Sequence, residues 1–225
     1  MIKNLVKSNI LAFSDFHGSD VAFNKALTAI LKHKPKLIMI AGDIADNNFE
    51  KAKDFLSRLN NFRTEVFYVP GNMDSKKLII EGLNLNHVKN IHKKIIDHED
   101  FKIVGFGGSN KTPFNTPIEF NDIEIESFLS SLSFDKKEKI ILLTHSPPKN
   151  TKIDKTFMKI HAGSIAIRNF IEKNKPILAV CGHIHEACGV DKLGDSLIVN
   201  VSSAKYGRYG LIDINNGVNV ELLEH

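Results

Sequence analysis

No stretch of this 225-residue chain approaches the ~20 consecutive apolar residues that cross a bilayer, which excludes a helical membrane protein. Cysteine is scarce. Cys181 and Cys188 are too few for a disulfide framework. Cys181 sits in an apolar run and reads as a small buried hydrophobe, and Cys188 as a reduced loop thiol rather than a metal ligand. There is no long basic block either: 30 Lys and Arg stand against 26 Asp and Glu, a net charge of +4 spread along the chain. That describes a solvated surface. Aromatics interleaved with basic residues are also missing, so nucleic acid beyond short oligonucleotides is not an expected partner. Linkers, internal repeats and low-complexity tracts are absent, and one domain over residues 1–225 is expected. Residues 1–9 carry two lysines but no signal-peptide cleavage pattern, which predicts a cytoplasmic protein; without a spanning run no membrane partner is expected.

What the chain does have is a repeated arrangement of an apolar run closed by a polar cluster. Residues 9–14 end at Asp15-Phe16-His17, and 37–41 at Gly42-Asp43-Ile44-Ala45-Asp46. Residues 65–69 end at Pro70-Gly71-Asn72-Met73-Asp74, 139–143 at Thr144-His145, and 177–181 at Gly182-His183-Ile184-His185. Such short continuous runs read as strands buried on both faces. Helix-period segments separate them at 21–33, 49–59, 121–132 and 164–173, the third with Asn121 or Asp122 as its N-cap. Strand and helix in alternation predict βαβ units and a largely parallel sheet. Ligands of such sheets gather outside the carboxyl ends of the strands, where all five clusters lie. After residue 195 the pattern changes to short β-type runs at 196–201, 209–214 and 218–222, with Asn215-Asn216-Gly217 as a turn. Residues 94–97 and 101–106 add strands, and loops 107–117 and 147–163 are long enough to serve function.

The five clusters carry the donors of a metal site. Carboxylates and neutral imidazoles suit borderline divalent ions and need no thiolate. Asp15 and His17, like His183 and His185, are two apart, a spacing that aims both side chains one way at a strand end. Asp43 has spare lone pairs to bridge two ions, Asn72 offers an amide oxygen and His145 another imidazole. Singly, each residue has a plainer reading: Asp15 or Asn72 as a helix cap, His17 as a satisfied core histidine, His145 as a turn residue before Ser146-Pro147-Pro148. Jointly, that reading needs seven independent coincidences in order.

The order Asp-x-His, Gly-Asp-x-x-Asp, Gly-Asn-x-Asp, His, Gly-His-x-His resembles the calcineurin-like metallophosphoesterase superfamily over nearly the whole chain. The resemblance implies a four-layer α/β/β/α sandwich with two mixed sheets. It also implies that Asp15, His17 and His185 hold one metal, that Asn72, His145 and His183 hold a second, and that Asp43 bridges. Asp46 and Asp74 would orient ligands or bound water. The stretch from His161 through Arg168 to Glu186 is similar to a small branch of archaeal and bacterial phosphoesterases.

Two such ions lower the pKa of a shared water, and the resulting hydroxide attacks phosphorus in line. With Asp15 and Asp43 the charge sum stays positive, so a small phosphate ester is the expected substrate and a diester the preferred one. Mn²⁺ is the expected ion in vitro, with Fe, Zn²⁺ or Ni²⁺ as alternatives. Many family members have a histidine where this chain has Met73, and a thioether cannot protonate a leaving group. Small phosphodiesterases of the family share that lack. His161 is the candidate replacement, with a loop histidine as its plainer reading. Asn110 and the backbone of Gly107-Gly108-Ser109 are candidate phosphate contacts. The alternative function is a metal-binding protein-interaction module on the same fold, with little or no catalysis.

Overall fold

A computed structural model describes residues 10–81, 83–215 and 217–224. The first half alternates as the apolar runs predict: β1 (Ile10–Phe13), α1 (Asp20–His33), β2 (Leu37–Ile40), α2 (Phe49–Asn60), β3 (Glu65–Tyr68), the single turn α3 (Lys77–Ile80) and β4 (Val88–Asn90). The antiparallel pair β5 (Lys94–His98) and β6 (Phe101–Phe106) follows, then β7 (Ser109–Asn110) and β8 (Glu119–Phe120), which form a separate two-stranded parallel sheet, leading to α4 (Asp122–Ser130) and β9 (Lys139–Thr144). The chain then runs through α5 (Ile165–Asn174), β10 (Leu178–Cys181), β11 (Gly189–Leu193), β12 (Ser196–Asn200), β13 (Arg208–Asp213) and β14 (Asn219–Glu224). Side-chain oxygens start the four longer helices: Ser19 accepts from the Ala22 N–H, Asn48 from Lys51, Ser164 from Ile167, and Asn121 forms a capping box with Glu124. Asn9, expected to open β1, and Asn216, in the expected turn, lie outside the described residues.

Two six-stranded mixed sheets result, β14-β13-β1-β2-β3-β4 and β11-β12-β10-β9-β6-β5. In each, the central strands run parallel and the antiparallel pairs lie to the outside. Successive side chains of a strand point to opposite faces, and every central strand is apolar on both. Leu11, Phe13, Ile38, Ile40, Val66 and Tyr68 face α1 and α2. Ile10, Ala12, Leu37, Met39 and Phe67 pack instead against Ile141, Leu143, Val180 and Val199 of the other sheet. Ile140, Leu142, Ala179, Cys181 and Ile198 face α4 and α5. The layers are therefore α/β/β/α. Cys181 lies in the outer core, as expected of a small hydrophobe.

Candidate metal centre

The five clusters meet at the carboxyl ends of β1, β2, β3, β9 and β10. The pleat of a strand does not aim them, contrary to the expectation from the two-residue spacing. Asp15, His17, Asp43 and His183 take left-handed backbone, with φ of 55°, 49°, 52° and 70°. Each such non-glycine residue costs roughly 1–3 kcal/mol and persists only where its surroundings impose it. Here backbone bonds between loops do so: Asp15 N–H donates to Gly42 O and His17 N–H to Asp43 O, both at 2.9 Å. Phe16 anchors the first loop from below. It is fully buried, with its ring centroid 5.2 Å from Phe23 and 4.9 Å from Phe55. Close approach explains two motif glycines. A Cβ on Gly71 would run into Asp43 Oδ1, and one on Gly182 into Ser14 Oγ and Asp15 Oδ2.

The donor atoms converge. His185 Nε2 lies 3.1 Å from Asp15 Oδ1 and 3.2 Å from His17 Nε2. His145 Nε2 lies 2.7 Å from Asn72 Oδ1. Asp43 Oδ2 stands between the two groups, 3.8 Å from His17 Nε2 and 3.5 Å from His145 Nε2. The His183 ring is 4.9 Å from that of His145, and its backbone N–H donates to Asp15 Oδ2. All seven residues expected as ligands are brought together. Asp15, His17 and His185, and separately Asp15, Asp43 and His145, present ligand atoms within 4.8 Å of one another.

A surrounding set of hydrogen bonds aims these donors. Asp46 Oδ1 holds His17 Nδ1 at 2.6 Å and Ala41 O holds His145 Nδ1 at 2.6 Å, so each ring turns Nε2 inward. The Asp74 carboxylate accepts from Ala45 N–H at 2.9 Å and Gly71 N–H at 2.8 Å, joining the second and third loops. Several contributors carry no motif signal. Thr116 Oγ1 accepts from Asn72 Nδ2 at 3.0 Å. Ser203 Oγ donates to Asp15 O and Ser202 Oγ to His185 O, both at 2.6 Å, and Asn200 Nδ2 donates to Ile184 O at 2.9 Å. The 200–203 segment thus tethers the backbone of the ligand loops.

The charges describe a cation site. Burial opposes ionisation of Asp15, but its bond to His185 and the charge of His145 hold its carboxyl at about 2. Burial also disfavours a charged His145, yet Asp43 and Asp15 raise it to about 9. Burial and the neighbouring His145 lower His183 to about 4. Burial and the Asp43 carboxylate push Asp74 up to about 6 against the backbone N–H groups of Ala45, Gly71 and Ile44. Protonated imidazole here neutralises buried carboxylate, the part that a divalent cation would take. Inward Nε2 atoms on fixed rings, two carboxylates and an amide oxygen fit such an ion without rearrangement.

Other candidates fare differently. His161 Nδ1 lies 2.6 Å from Asp154 Oδ1, and Asp154 is fully buried and also accepts from the N–H groups of Asn150, Thr151 and Gly163. Two ligand loops and the 107–110 loop adjoin the His161 segment. Ser164 N–H donates to Pro147 O, Phe157 N–H to Glu186 Oε1, and Asn110 Nδ2 to Ala162 O. The 107–109 loop does not offer its amides to a phosphate: Gly107 N–H donates to His92 Nδ1, Gly108 N–H to Pro70 O and Ser109 N–H to Ile118 O. Arg168 holds the carbonyls of Lys149 and Asn150 and pairs with Glu172, a structural role.

A family model described as calcineurin-like phosphoesterase matches residues 8–187. The chain belongs to that family, whose members typically depend on divalent metals. It is 38% identical over 209 residues to MJ1162, an uncharacterized protein of Methanocaldococcus jannaschii, covering 89% of this chain and 90% of the relative. It is 26% identical over 162 residues to GpdQ of Arcobacter nitrofigilis, a probable glycerophosphodiester phosphodiesterase, covering 69% of this chain but 58% of that relative. The crystal structure of TT1561 from Thermus thermophilus has the same fold, with a TM-score of 0.78 at 20% identity over 96% of this chain and 97% of that one.

Proposed function

We propose that this metal-dependent phosphoesterase hydrolyses phosphodiesters with a pair of divalent ions, Mn²⁺ serving in vitro. Asp15, His17 and His185 would hold one ion, Asn72, His145 and His183 the other, with Asp43 shared. The observation that carries the reading is the place of Asp43 Oδ2, within 4 Å of one imidazole from each group. When bound, the ions supply Lewis-acid charge to the ester oxygens and an acidified water as nucleophile. The chain's own part is to keep the donors preorganised. Asp46, Ala41 O and Thr116 fix His17, His145 and Asn72, so no reorganisation is needed as charge develops.

Hydrolysis breaks one P–O bond and puts a proton on the departing oxygen. Met73 cannot supply it, and its N–H is already donated to Asp43 Oδ1 at 2.8 Å. We assign that proton to His161, oriented by the buried Asp154 carboxylate. The name of the Arcobacter relative supports a diester as substrate. The test is hydrolysis of bis(4-nitrophenyl) phosphate and 4-nitrophenyl phosphate with added Mn²⁺. Wild type turns over the diester faster than the monoester, and Asp43→Asn and His183→Ala fall to background. Equal rates in all three proteins would overturn the reading.

A further inference from the structure

Large apolar side chains stand exposed at the rim of the metal centre. Phe157, Met158 and Ile160 are 89%, 77% and 57% exposed, three within four residues. Phe114, at 80%, tops the neighbouring 111–117 loop, and Tyr206, at 58%, lies beside His185 with ring centroids 6.1 Å apart. Other large apolar residues such as Val21, Leu31, Ile80 and Ile123 also reach the described surface, and an isolated one is ordinary. Concentration at the site mouth is not.

The segment carrying Phe157 is a built hairpin. An antiparallel bridge joins Lys155 to His161, Thr156 N–H donates to Ile160 O at 2.9 Å, and Lys159 N–H to Thr156 O at 2.7 Å, with Lys159 at φ 61°. Its base is fixed twice, by Phe157 N–H on Glu186 Oε1 at 2.6 Å and by Ala162 N–H on Asp154 O at 3.0 Å. The 111–117 loop is equally held. Glu119 Oε1 accepts from Thr112 Oγ1 at 2.6 Å, Thr116 N–H at 2.8 Å and Thr116 Oγ1 at 2.7 Å. Asn110 Nδ2, on Ala162 O at 3.1 Å, joins the two. Polar tethers therefore hold the apolar tips outward.

The free charge around the tips is mostly positive: Glu186 and Glu119 accept from Phe157 N–H and from Thr112 and Thr116, and Asp191 lies 3.8 Å from Lys152 Nζ. Lys155 and Lys159 lie exposed in the hairpin and Lys152 just before it, where the only acid, Asp154, is buried and bonded. Lys111 sits in the other loop, which has no acid between 107 and 117, and Lys205 precedes Tyr206. Stiff apolar tips set among exposed lysines match an anionic bilayer, whose headgroups attract the lysines while the tips enter the acyl boundary. A second protein would need a complementary face, whereas separate projecting tips suit a deformable surface.

We propose that the 155–161 hairpin and the 111–117 loop seat this protein on anionic lipid surfaces, with the metal centre facing the headgroups. The expectation of no membrane partner came from the lack of a spanning segment, and lying on a bilayer needs none. The binding claim is independent of catalysis. The attached substrate class, a phosphate ester in a lipid headgroup, rests on the function proposed above.

The experiment is co-sedimentation of the full chain with phosphatidylcholine vesicles, with and without phosphatidylglycerol. Wild type binds the phosphatidylglycerol vesicles, and raised salt releases it. Phe157→Ser/Met158→Ser weakens binding by about tenfold or more, while its thermal midpoint and its rate on a soluble chromogenic diester stay at the wild-type level. His183→Ala still binds vesicles, so a failed hydrolase reading would leave this result intact. Wild type that ignores phosphatidylglycerol, or a double variant that binds as well as wild type, overturns the proposal. So does a double variant whose only change is loss of a dimer by light scattering, since the occupant would then be a second copy.

Discussion

Thr116 Oγ1 accepts a hydrogen bond from Asn72 Nδ2 at 3.0 Å, and that bond turns the Asn72 carbonyl oxygen to 2.7 Å from His145 Nε2. An Asn side chain can present either end of its amide, and Thr116 selects the oxygen. Thr116→Val keeps the shape and removes the acceptor. We expect metal affinity or activity to fall by about 10–100-fold, with the fold retained. Titration of the metal-free variant with Mn²⁺, followed by rate measurement, checks it. An unchanged affinity and rate would remove Thr116 from the site.

The Asp154–His161 pair makes a prediction about leaving groups. A poor leaving group such as an alkoxide needs the proton, whereas 4-nitrophenolate departs without it. His161→Gln should therefore slow an alkyl phosphodiester by about 10²–10⁴-fold and leave bis(4-nitrophenyl) phosphate nearly untouched. Losses of equal size on both esters would assign His161 a structural part only.

His92 is buried, with Nδ1 accepting the Gly107 N–H at 2.9 Å. Burial, with Lys93 and Lys94 nearby, lowers its imidazole from 6.5 to about 4. The unfolded chain thus takes up this proton near 6.5 and the folded protein only near 4. The contribution of neutral His92 is complete above pH 6.5 and is lost as pH falls toward 4. It is on the order of 3 kcal/mol. Urea unfolding of the metal-free protein across that window should show the loss in wild type and not in His92→Gln. Parallel slopes would show that His92 does not carry it.

Much of this architecture was legible in the chain because it rests on local, repeated signals. Runs such as 37–41 are apolar at every position, and only a strand covered on both faces needs that. The polar clusters stand out because they interrupt those runs. The strands that escaped notice lack the signal. β4 has three residues and buries only Val88, while β11 alternates partly buried and exposed residues before Leu193. The 107–109 amides illustrate the converse error. A glycine-rich turn suggests free N–H donors, but whether they are free depends on His92, Pro70 and Ile118, and nothing local to the turn records that.

The sequence by itself determined the layer order, through which residues are apolar, and the kind of chemistry, through which donors end each strand. Only the tertiary structure decided how those donors are aimed. Left-handed turns at Asp15, Asp43 and His183 are imposed by bonds between loops. The tethers from Thr116, Asn200, Ser202 and Ser203 join residues up to 188 positions apart. A hydrogen bond across such a separation leaves no periodicity and no spacing rule, because its geometry exists only once the two sheets have packed.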